Sequence, residues 1–531
     1  MEGNEPPLRK VRLTRPFSLA MARSNKNKRS PGPGAQRKCA RRPRSYTPLS
    51  DALSKPFTFA DTELSEGIQR HALRGLLATA MHGQRRSDAE PLQQVLCALL
   101  IWPLLKVESI HCFCAELCQF LSGKVSVLYD FLGREDVNWR ALSSELARRV
   151  FTQNEIGPRS QRAFVVDDTS QARAGRKVQG TSCYFDHTQS RTRKGHQMLQ
   201  LGLAGEKGFL PLEGQLVMGE KSAVDKPKDK PFKDQRSSAA RDMGRARQQN
   251  KQERFRDMLQ RAVRAGFSAR YVLADAWFGC KENILCCLDN DLIGIFQMKR
   301  GNLSYQHQGA NYTASQLYAK VQRRMRPINS KARYKTASLV VSINLQTQAQ
   351  QPAHWVKVRL VFSAPVRECS ADTWVVFLCT DVSLQDAKIL EVYALRWSIE
   401  VYFKEIKQNL GFLKEQSGRY ELAYASVHLS AIRYLLLFEA MLRNGQLDYG
   451  QVRDRQTGLL QTLTYASLLW QLFRALIEGA LDDLVQDLGR QVIQKIMGAI
   501  DQTVEAFLND ALQISSEHVS AQLKAEELGY L

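Results

Sequence analysis

The segment YALRWSIEVYFKEIK, residues 393–407, has the apolar spacing of an amphipathic helix. At about 100° of rotation per residue, four of its polar side chains fall within a sector about 60° wide; they are Tyr393, Arg396, Glu400 and Lys407. A neighbouring apolar stripe would dock the helix on a core; it comprises Val392, Leu395, Ile399, Phe403, Ile406 and Leu410. One helix therefore presents a carboxylate, two cations and a phenol, which together suit binding of a metal ion and a phosphate. The alternative is a solvated face with local ion pairs.

Two other segments place acids at the ends of short apolar runs. AFVVDDTSQ, residues 163–171, leads into Asp167 and Asp168, and ARYVLADAWFG, residues 269–279, leads into Asp275. Such runs are typical of buried strands, and a carboxylate at the end of a buried strand needs a partner or a metal ion. Each acid alone could be a turn residue. Both together, ahead of the amphipathic helix, predict a common site.

The spacing Tyr-x2-Arg-x3-Glu-x6-Lys resembles the YREK motif of bacterial insertion-sequence transposases, in the insertion-sequence-four (IS-four) family of DDE enzymes. The surrounding Arg-Trp-x-Ile-Glu of residues 396–400 is also typical of that family. The resemblance implies that Glu400 is the third catalytic carboxylate, and that Tyr393, Arg396 and Lys407 contact DNA phosphates at the transposon end.

The family's two aspartates map onto Asp168 and Asp275, with Asp167 as the alternative for the first position. The resemblance implies two Mg²⁺ ions per active site, for which Mn²⁺ can substitute. Asp168 would bridge both ions, and Asp275 and Glu400 would each hold one. Two divalent ions about 3.5–4 Å apart stabilise the attacking and leaving oxygens of a phosphodiester, and Mg²⁺ prefers carboxylate oxygens.

Composition independently favours a nucleic-acid partner. The 531 residues include 75 Lys and Arg against 53 Asp and Glu, a net charge of +22, and such a surplus is typical of proteins that bind polyanions. Residues 1–48 carry thirteen Lys and Arg against two Glu, which is half of the net charge. This arm is predicted to be disordered and to bind DNA non-specifically. The alternative is an upstream extension from a misassigned start codon.

Other classes of protein are less compatible with the sequence. No run of about 18 apolar residues predicts a membrane span, so in a bacterium we expect a cytoplasmic protein on the nucleoid. The cluster His111, Cys112, Cys114 and Cys118 lacks the second distant pair of a zinc site. We therefore interpret it as packing within a helical segment.

The length predicts more than one domain, in an α/β protein with an RNase H-like catalytic core. The predicted parts are a basic arm (1–48), a helical DNA-binding domain (49–158), the first part of the core (159–299), a β-rich insertion (300–384), the core helix with Glu400 (385–415), and a helical C-terminal region for dimerisation (416–531). In the core, a single helix is predicted over Ala239–Ala265, and an exposed charged loop over Glu220–Gln235.

The insertion contains three strand-like runs: Ala337–Leu345, Trp355–Phe362 and Thr373–Cys379. It resembles the insertion that some DDE transposases carry just before the Glu. In relatives that pass through a DNA hairpin, an aromatic of this insertion stacks on a flipped base. Trp374 is the candidate here, although it lies two residues further from Thr380 than in the family pattern. Trp355 is the other candidate, and packing inside the insertion is the alternative role for Trp374.

The function implied by the resemblance is cut-and-paste transposition by a homodimer in a paired-end complex. Water would free a 3′-hydroxyl at the element's terminal inverted repeats, and the 3′ ends would join target DNA, with or without a hairpin. An inactive or domesticated transposase-derived DNA-binding protein is the alternative. A different RNase H-like nuclease would leave Tyr393, Arg396 and Lys407 without a joint task.

Overall fold

The computed structural model describes residues 62–81, 92–117, 125–175, 177–186, 190–218, 232–301, 303–328, 333–348, 350, 352–367, 373–461, 477, 491–492, 494–500 and 502–503. The basic arm, Cys118, most of Glu220–Gln235 and most of residues 462–531 lie outside this part of the chain. The predictions made for them are therefore not addressed by the fold.

In the described part of the chain, twelve strands form one sheet. They are β1 (Ala163–Ala172), β2 (Ser182–Asp186), β3 (Arg191–Gly205), β4 (Gly208–Val217), β5 (Tyr271–Ala274), β6 (Ile293–Met298), β7 (Ser304–His307), β8 (Ala310–Thr313), β9 (Arg326–Pro327), β10 (Tyr334–Asn344), β11 (Trp355–Pro365) and β12 (Val375–Cys379). The strands β3 and β4 form a hairpin, and its turn ends at Gly208, whose φ of +126° favours glycine.

The core of the sheet has the order β4-β3-β1-β5-β6. The strand β1 is antiparallel to β3 and parallel to β5, and β5 is parallel to β6. Three consecutive antiparallel strands followed by two parallel ones in this order define an RNase H-like fold. The predicted α/β architecture is therefore confirmed.

The strands of residues 300–384 continue this sheet beyond β6. The strand β12 pairs antiparallel with β6, and β11, β10 and β7 follow outward. The segment is β-rich, and its strands are hydrogen-bonded to the same sheet that carries the predicted site.

The helices lie before, between and after the strands. They are α1 (Glu63–Arg70), α2 (Leu73–Ala80), α3 (Leu92–Ile101), α4 (Ile110–Leu117), α5 (Val125–Leu132), α6 (Trp139–Gln153), α7 (Ser238–Gln248), α8 (Lys251–Arg264), α9 (Lys281–Leu288), α10 (Ala314–Val321), α11 (Asp386–Ala394), α12 (Trp397–Gln408) and α13 (Tyr420–Asn444). Residues 449–461 are also helical.

The helix α13 joins the N-terminal helices to the sheet, since it packs on α6, α1 and β4. It is long and apolar enough to cross a membrane, but every residue from Tyr420 to Ala440 is buried inside the protein. A helix that is apolar on all sides is typical of a protein core as well as of a membrane, and here it is a core helix.

Two predicted helices are each divided in the structure. Ala239–Ala265 forms α7 and α8, because the Asn250 side chain accepts from the Glu253 N–H (2.9 Å) and the Glu253 carboxylate accepts from the Asn250 N–H (3.0 Å). This capping box starts a new helix. Tyr393–Lys407 forms the end of α11 and most of α12, because the Arg396 N–H donates to the Tyr393 carbonyl (3.0 Å) in a tighter i→i−3 turn.

Candidate active site

Three aspartates lie where the parallel pairing of β1 with β5 ends. The strand β5 ends at Ala274, directly before Asp275, but β1 continues past Asp167 and Asp168 to Ala172, so the prediction that the first strand ends at its acids is wrong. The first four residues of β1 and all of β5 are buried, and Val165 lies opposite Leu273 in their parallel pairing. Continued by two residues, this register places Asp167 level with Asp275, and neighbouring strands are about 4.8 Å apart. Buried apolar strands thus bring carboxylates 107–108 positions apart in the sequence to neighbouring positions on adjacent strands.

Asp167 is the more enclosed acid of the consecutive pair. Its side chain is 14% exposed, and its Oδ2 accepts from Arg396 Nη1 (2.5 Å). Its Oδ1 accepts from the backbone N–H of Asp168 (2.8 Å). Burial raises the pKa of Asp167 to about 7, against the opposing effect of the Arg396 guanidinium; the charges of Asp275 and Asp168 raise it further. Asp167 is therefore a largely enclosed partner of the arginine.

Asp168 is more open to solvent, with 35% of its side chain exposed. Its Oδ2 forms an ion pair with Lys251 Nζ, at the first residue of α8. Asp168 is therefore a partly exposed carboxylate that is paired with a lysine.

Asp275 is held by the loop that follows β5. Its Oδ1 accepts from the backbone N–H of Trp277 (3.0 Å), and its carbonyl accepts from the N–H of Phe278 (3.1 Å). Burial raises the pKa of Asp275; the N–H of Trp277 and the Arg396 charge lower it, and the charge of Asp168 raises it. A nearby cation would favour the ionised form.

The predicted YREK residues converge on these acids. Glu400, in the first turn of α12, accepts from Arg396 Nη2 (3.0 Å), so that the guanidinium bridges Glu400 and Asp167. Burial alone would lower the pKa of Arg396, but the negative charges around it raise that pKa overall. Arg396 thus connects α12 to β1.

Tyr393 and Lys407, the other two residues of the predicted motif, interact with groups near these acids. The Tyr393 hydroxyl donates to the carbonyl of Ala274 (3.3 Å), directly before Asp275, and burial raises its pKa. Burial also lowers the pKa of Lys407, while the charges of Asp168, Asp186 and Glu400 act in the opposite direction. Lys407 is therefore a cation within electrostatic reach of two of the predicted ligands.

Trp374 lies apart from these residues, in a packed aromatic cluster. Its side chain is 3% exposed. Its ring stacks on Tyr318, with centroids 4.2 Å apart, and the Arg300 guanidinium lies 4.6 Å from its centroid. In this arrangement Trp374 packs inside the segment predicted as an insertion, and its ring is not available to a base. Trp355, the other candidate, is exposed at the start of β11.

The donor chemistry fits a hard divalent cation. The acids Asp168, Asp275 and Glu400 supply carboxylate oxygens, which Mg²⁺ and Mn²⁺ prefer. Within the described residues, no three acids, histidines or cysteines are close enough together to enclose a metal ion. Instead, cationic side chains balance the acids, with Arg396 between Asp167 and Glu400 and Lys251 at Asp168.

Sequence reasoning missed Lys251 and Trp277. Lys251 follows Asn250 in the capping box, which predicts where α8 starts but not that it starts beside Asp168. Trp277 stands two residues after Asp275, as one of two adjacent aromatics. The sequence does not show that Phe278 enters the core while Trp277 stays exposed.

An RNase H-like sheet with acids on β1 and directly after β5 is typical of enzymes that transfer phosphoryl groups of nucleic acids. The family model described as DDE superfamily endonuclease matches residues 82–364, more than half of the chain. The protein therefore belongs to the DDE superfamily endonucleases, a family that acts on DNA and generally uses divalent metal ions. The matched region includes Asp168 and Asp275 and ends before Glu400. No curated protein matches the chain.

Proposed function

We propose that the protein is a DNA transposase of the insertion-sequence-four type, which cuts the ends of an insertion sequence and joins them to target DNA. The observation that carries the proposal is the bridge from Arg396 to Asp167 and Glu400. The bridge joins α12, which lies outside the family match, to β1, the strand that carries Asp167 and Asp168.

In this proposal Asp168, Asp275 and Glu400 hold two Mg²⁺ or Mn²⁺ ions. When bound, such ions neutralise charge on the phosphate and lower the pKa of the attacking water. Arg396 orients the carboxylate of Glu400 toward Asp168 and Asp275. Lys407 attracts a phosphate of the DNA. Tyr393 holds the loop of Asp275 through its hydrogen bond to Ala274.

Asp168 is chosen over Asp167 on the basis of accessibility and charge. Asp168 is partly exposed (35% of its side chain) and paired with a lysine, whereas Asp167 is more enclosed (14%), has a raised pKa and is bonded to Arg396. A metal ligand must be ionised and reachable. Asp167 then acts as a positioning residue that orients Arg396, and through it Glu400.

The test is cleavage of a labelled duplex that carries the element's terminal repeat, in Mg²⁺ or Mn²⁺. We expect Asp168→Asn, Asp275→Asn and Glu400→Gln to lose cleavage while duplex binding by mobility shift is kept. Asp167→Asn is the matched control, and its loss should stay within the roughly 10–100-fold typical of an outer-shell partner.

Three results would change the proposal. Near wild-type cleavage by Asp168→Asn together with full loss in Asp167→Asn would exchange the roles of the two acids. Cleavage retained in Glu400→Gln would remove that residue as a ligand. Binding without cleavage by the wild-type protein, in either metal, would favour the inactive or domesticated DNA-binding protein.

A further inference from the structure

An exposed tryptophan lies directly beside the acids. Trp277 is 57% exposed, the highest value among the large apolar side chains of the described residues, whereas the adjacent Phe278 is buried against Phe255 with ring centroids 5.8 Å apart. Phe278 therefore anchors the loop in the core. The indole of Trp277 is not needed for that packing, and exposing so large an apolar side chain has a cost in water.

The position of Trp277 is fixed relative to Asp275. Its backbone N–H donates to Asp275 Oδ1 (3.0 Å), and its carbonyl accepts from Gln252 Nε2 (2.7 Å). These two bonds tie the tryptophan to both the catalytic loop and the start of α8. A group bound on the indole would consequently lie within one nucleotide's length of the carboxylates.

Two lysines flank the ring. Lys299 Nζ lies 4.9 Å from the ring centroid and Lys251 Nζ lies 5.9 Å from it. Lys251 is also the ion-pair partner of Asp168, and Lys299 follows the last residue of β6. Exposed aromatic rings with cationic side chains nearby are the groups by which proteins bind single-stranded nucleic acid, with a base on the ring and phosphates on the cations.

We propose that Trp277 is a stacking platform for an unpaired base of the DNA strand that enters the site, with Lys251 and Lys299 contacting the adjoining phosphates. This inference rests on the proposed action on DNA and adds a residue to it. Trp374 cannot serve this purpose in the present structure because its side chain is 3% exposed and the ring of Tyr318 stacks on it.

The test needs no knowledge of the element's ends, since stacking tolerates any base. The probes are a short duplex of arbitrary sequence with one extrahelical 2-aminopurine, and the same duplex fully paired, both in chelator so that no cleavage occurs. We expect the wild-type protein to bind the extrahelical-base duplex more tightly, by roughly five- to hundredfold. The 2-aminopurine fluorescence should fall on binding, because stacking quenches it.

The variants separate the platform from general DNA affinity. Trp277→Ala should lose both the preference and the quenching, and Trp277→Phe should keep part of each. Trp355→Ala is the matched control, since Trp355 is also an exposed tryptophan (47%) but lies at the start of β11. Lys299→Ala should weaken the binding of both duplexes to a similar extent and reduce the salt dependence.

A Trp277→Ala variant with the wild-type preference would overturn the inference, as would loss of the preference in Trp355→Ala. Because these measurements are made without catalysis, they are distinct from the cleavage test. A protein that fails to cleave but shows the Trp277-dependent preference would refute the proposed enzyme and support the platform.

Discussion

At the scale of residues, two consecutive aspartates have different surroundings. Asp167 and Asp168 differ by one position in β1, so their side chains leave the strand on opposite sides. One meets the guanidinium of Arg396 and the other meets the ammonium of Lys251. A planar guanidinium can bridge two carboxylates, whereas an ammonium acts as a point charge. The two acids are therefore not interchangeable.

The raised pKa of Asp167 predicts a pH dependence of stability. Its pKa is about 7 in the folded protein against an ordinary value of 3.8. Between these values the folded state keeps a proton that the unfolded state has released. The contribution of Asp167 to the free energy of unfolding is therefore fully present below about pH 4 and is lost as the pH rises through about 7.

We expect Asp167→Asn to remove this part of the pH dependence. The measurement is the free energy of unfolding from denaturant titrations between about pH 4 and pH 8, in chelator, for both proteins. The difference between the curves isolates the one carboxyl group, since the other titrating groups are shared. Parallel curves would show that Asp167 is already ionised at low pH in the folded protein.

At the scale of secondary-structure elements, the buried side chain of Arg433 connects three parts of the fold: α13, α3 and the segment after α12. Arg433 in α13 donates from Nε to the carbonyl of Leu100 (3.1 Å), from Nη1 to that of Leu410 (2.8 Å), and from Nη2 to that of Leu99. Leu99 and Leu100 end α3, and Leu410 follows α12. The last carbonyls of a helix have no partner within the helix, so Arg433 satisfies groups that would otherwise be buried without one. Burial lowers its pKa to about 9.

We expect Arg433→Met to destabilise the protein by about 2–5 kcal/mol, because it leaves buried carbonyls without donors. Arg443→Met is the matched control: Arg443 is exposed in the last turn of the same helix, and its loss should cost less than about 0.5 kcal/mol. Thermal or denaturant unfolding measures both. An equal loss of stability in the two variants would contradict the role of Arg433 in connecting these elements.

The sequence predicts strands and helix faces better than the contacts between them. The apolar runs before Asp168 and Asp275 mark β1 and β5 because burial on both sides of a sheet requires such runs. The helix from Tyr393 to Lys407 is divided at Arg396, since a local tightening of the turn leaves the 3.6-residue pattern almost unchanged. Trp374 is buried because Tyr318 stacks on it, and Trp277 is exposed because its neighbour Phe278 packs on Phe255 instead. These partners are distant in the sequence, so no local pattern indicates which tryptophan is exposed.

At the scale of the whole molecule, charge is distributed unevenly. Residues 1–48 carry thirteen Lys and Arg against two Glu, while the whole chain has a net charge of +22. The acids and cations of the candidate site all lie within residues 57–531, whose described residues belong to one compact unit. Removal of residues 1–48 should therefore change affinity for DNA without changing the site.

We expect a protein of residues 49–531 to bind duplex DNA of arbitrary sequence more weakly and with a smaller salt dependence. Each phosphate contact contributes about 0.9 to the magnitude of the slope of log affinity against log salt concentration. The difference in slope between the full-length protein and residues 49–531 therefore gives the number of phosphate contacts made by residues 1–48. A full-length variant with the thirteen Lys and Arg of the arm changed to Gln keeps the length and removes the charge. It should match the shortened protein if charge is the cause. If this slope is unchanged in both the shortened protein and the Gln variant, residues 1–48 are better interpreted as an upstream extension without a role in binding. The DNA affinity would then come from the cations around the acids.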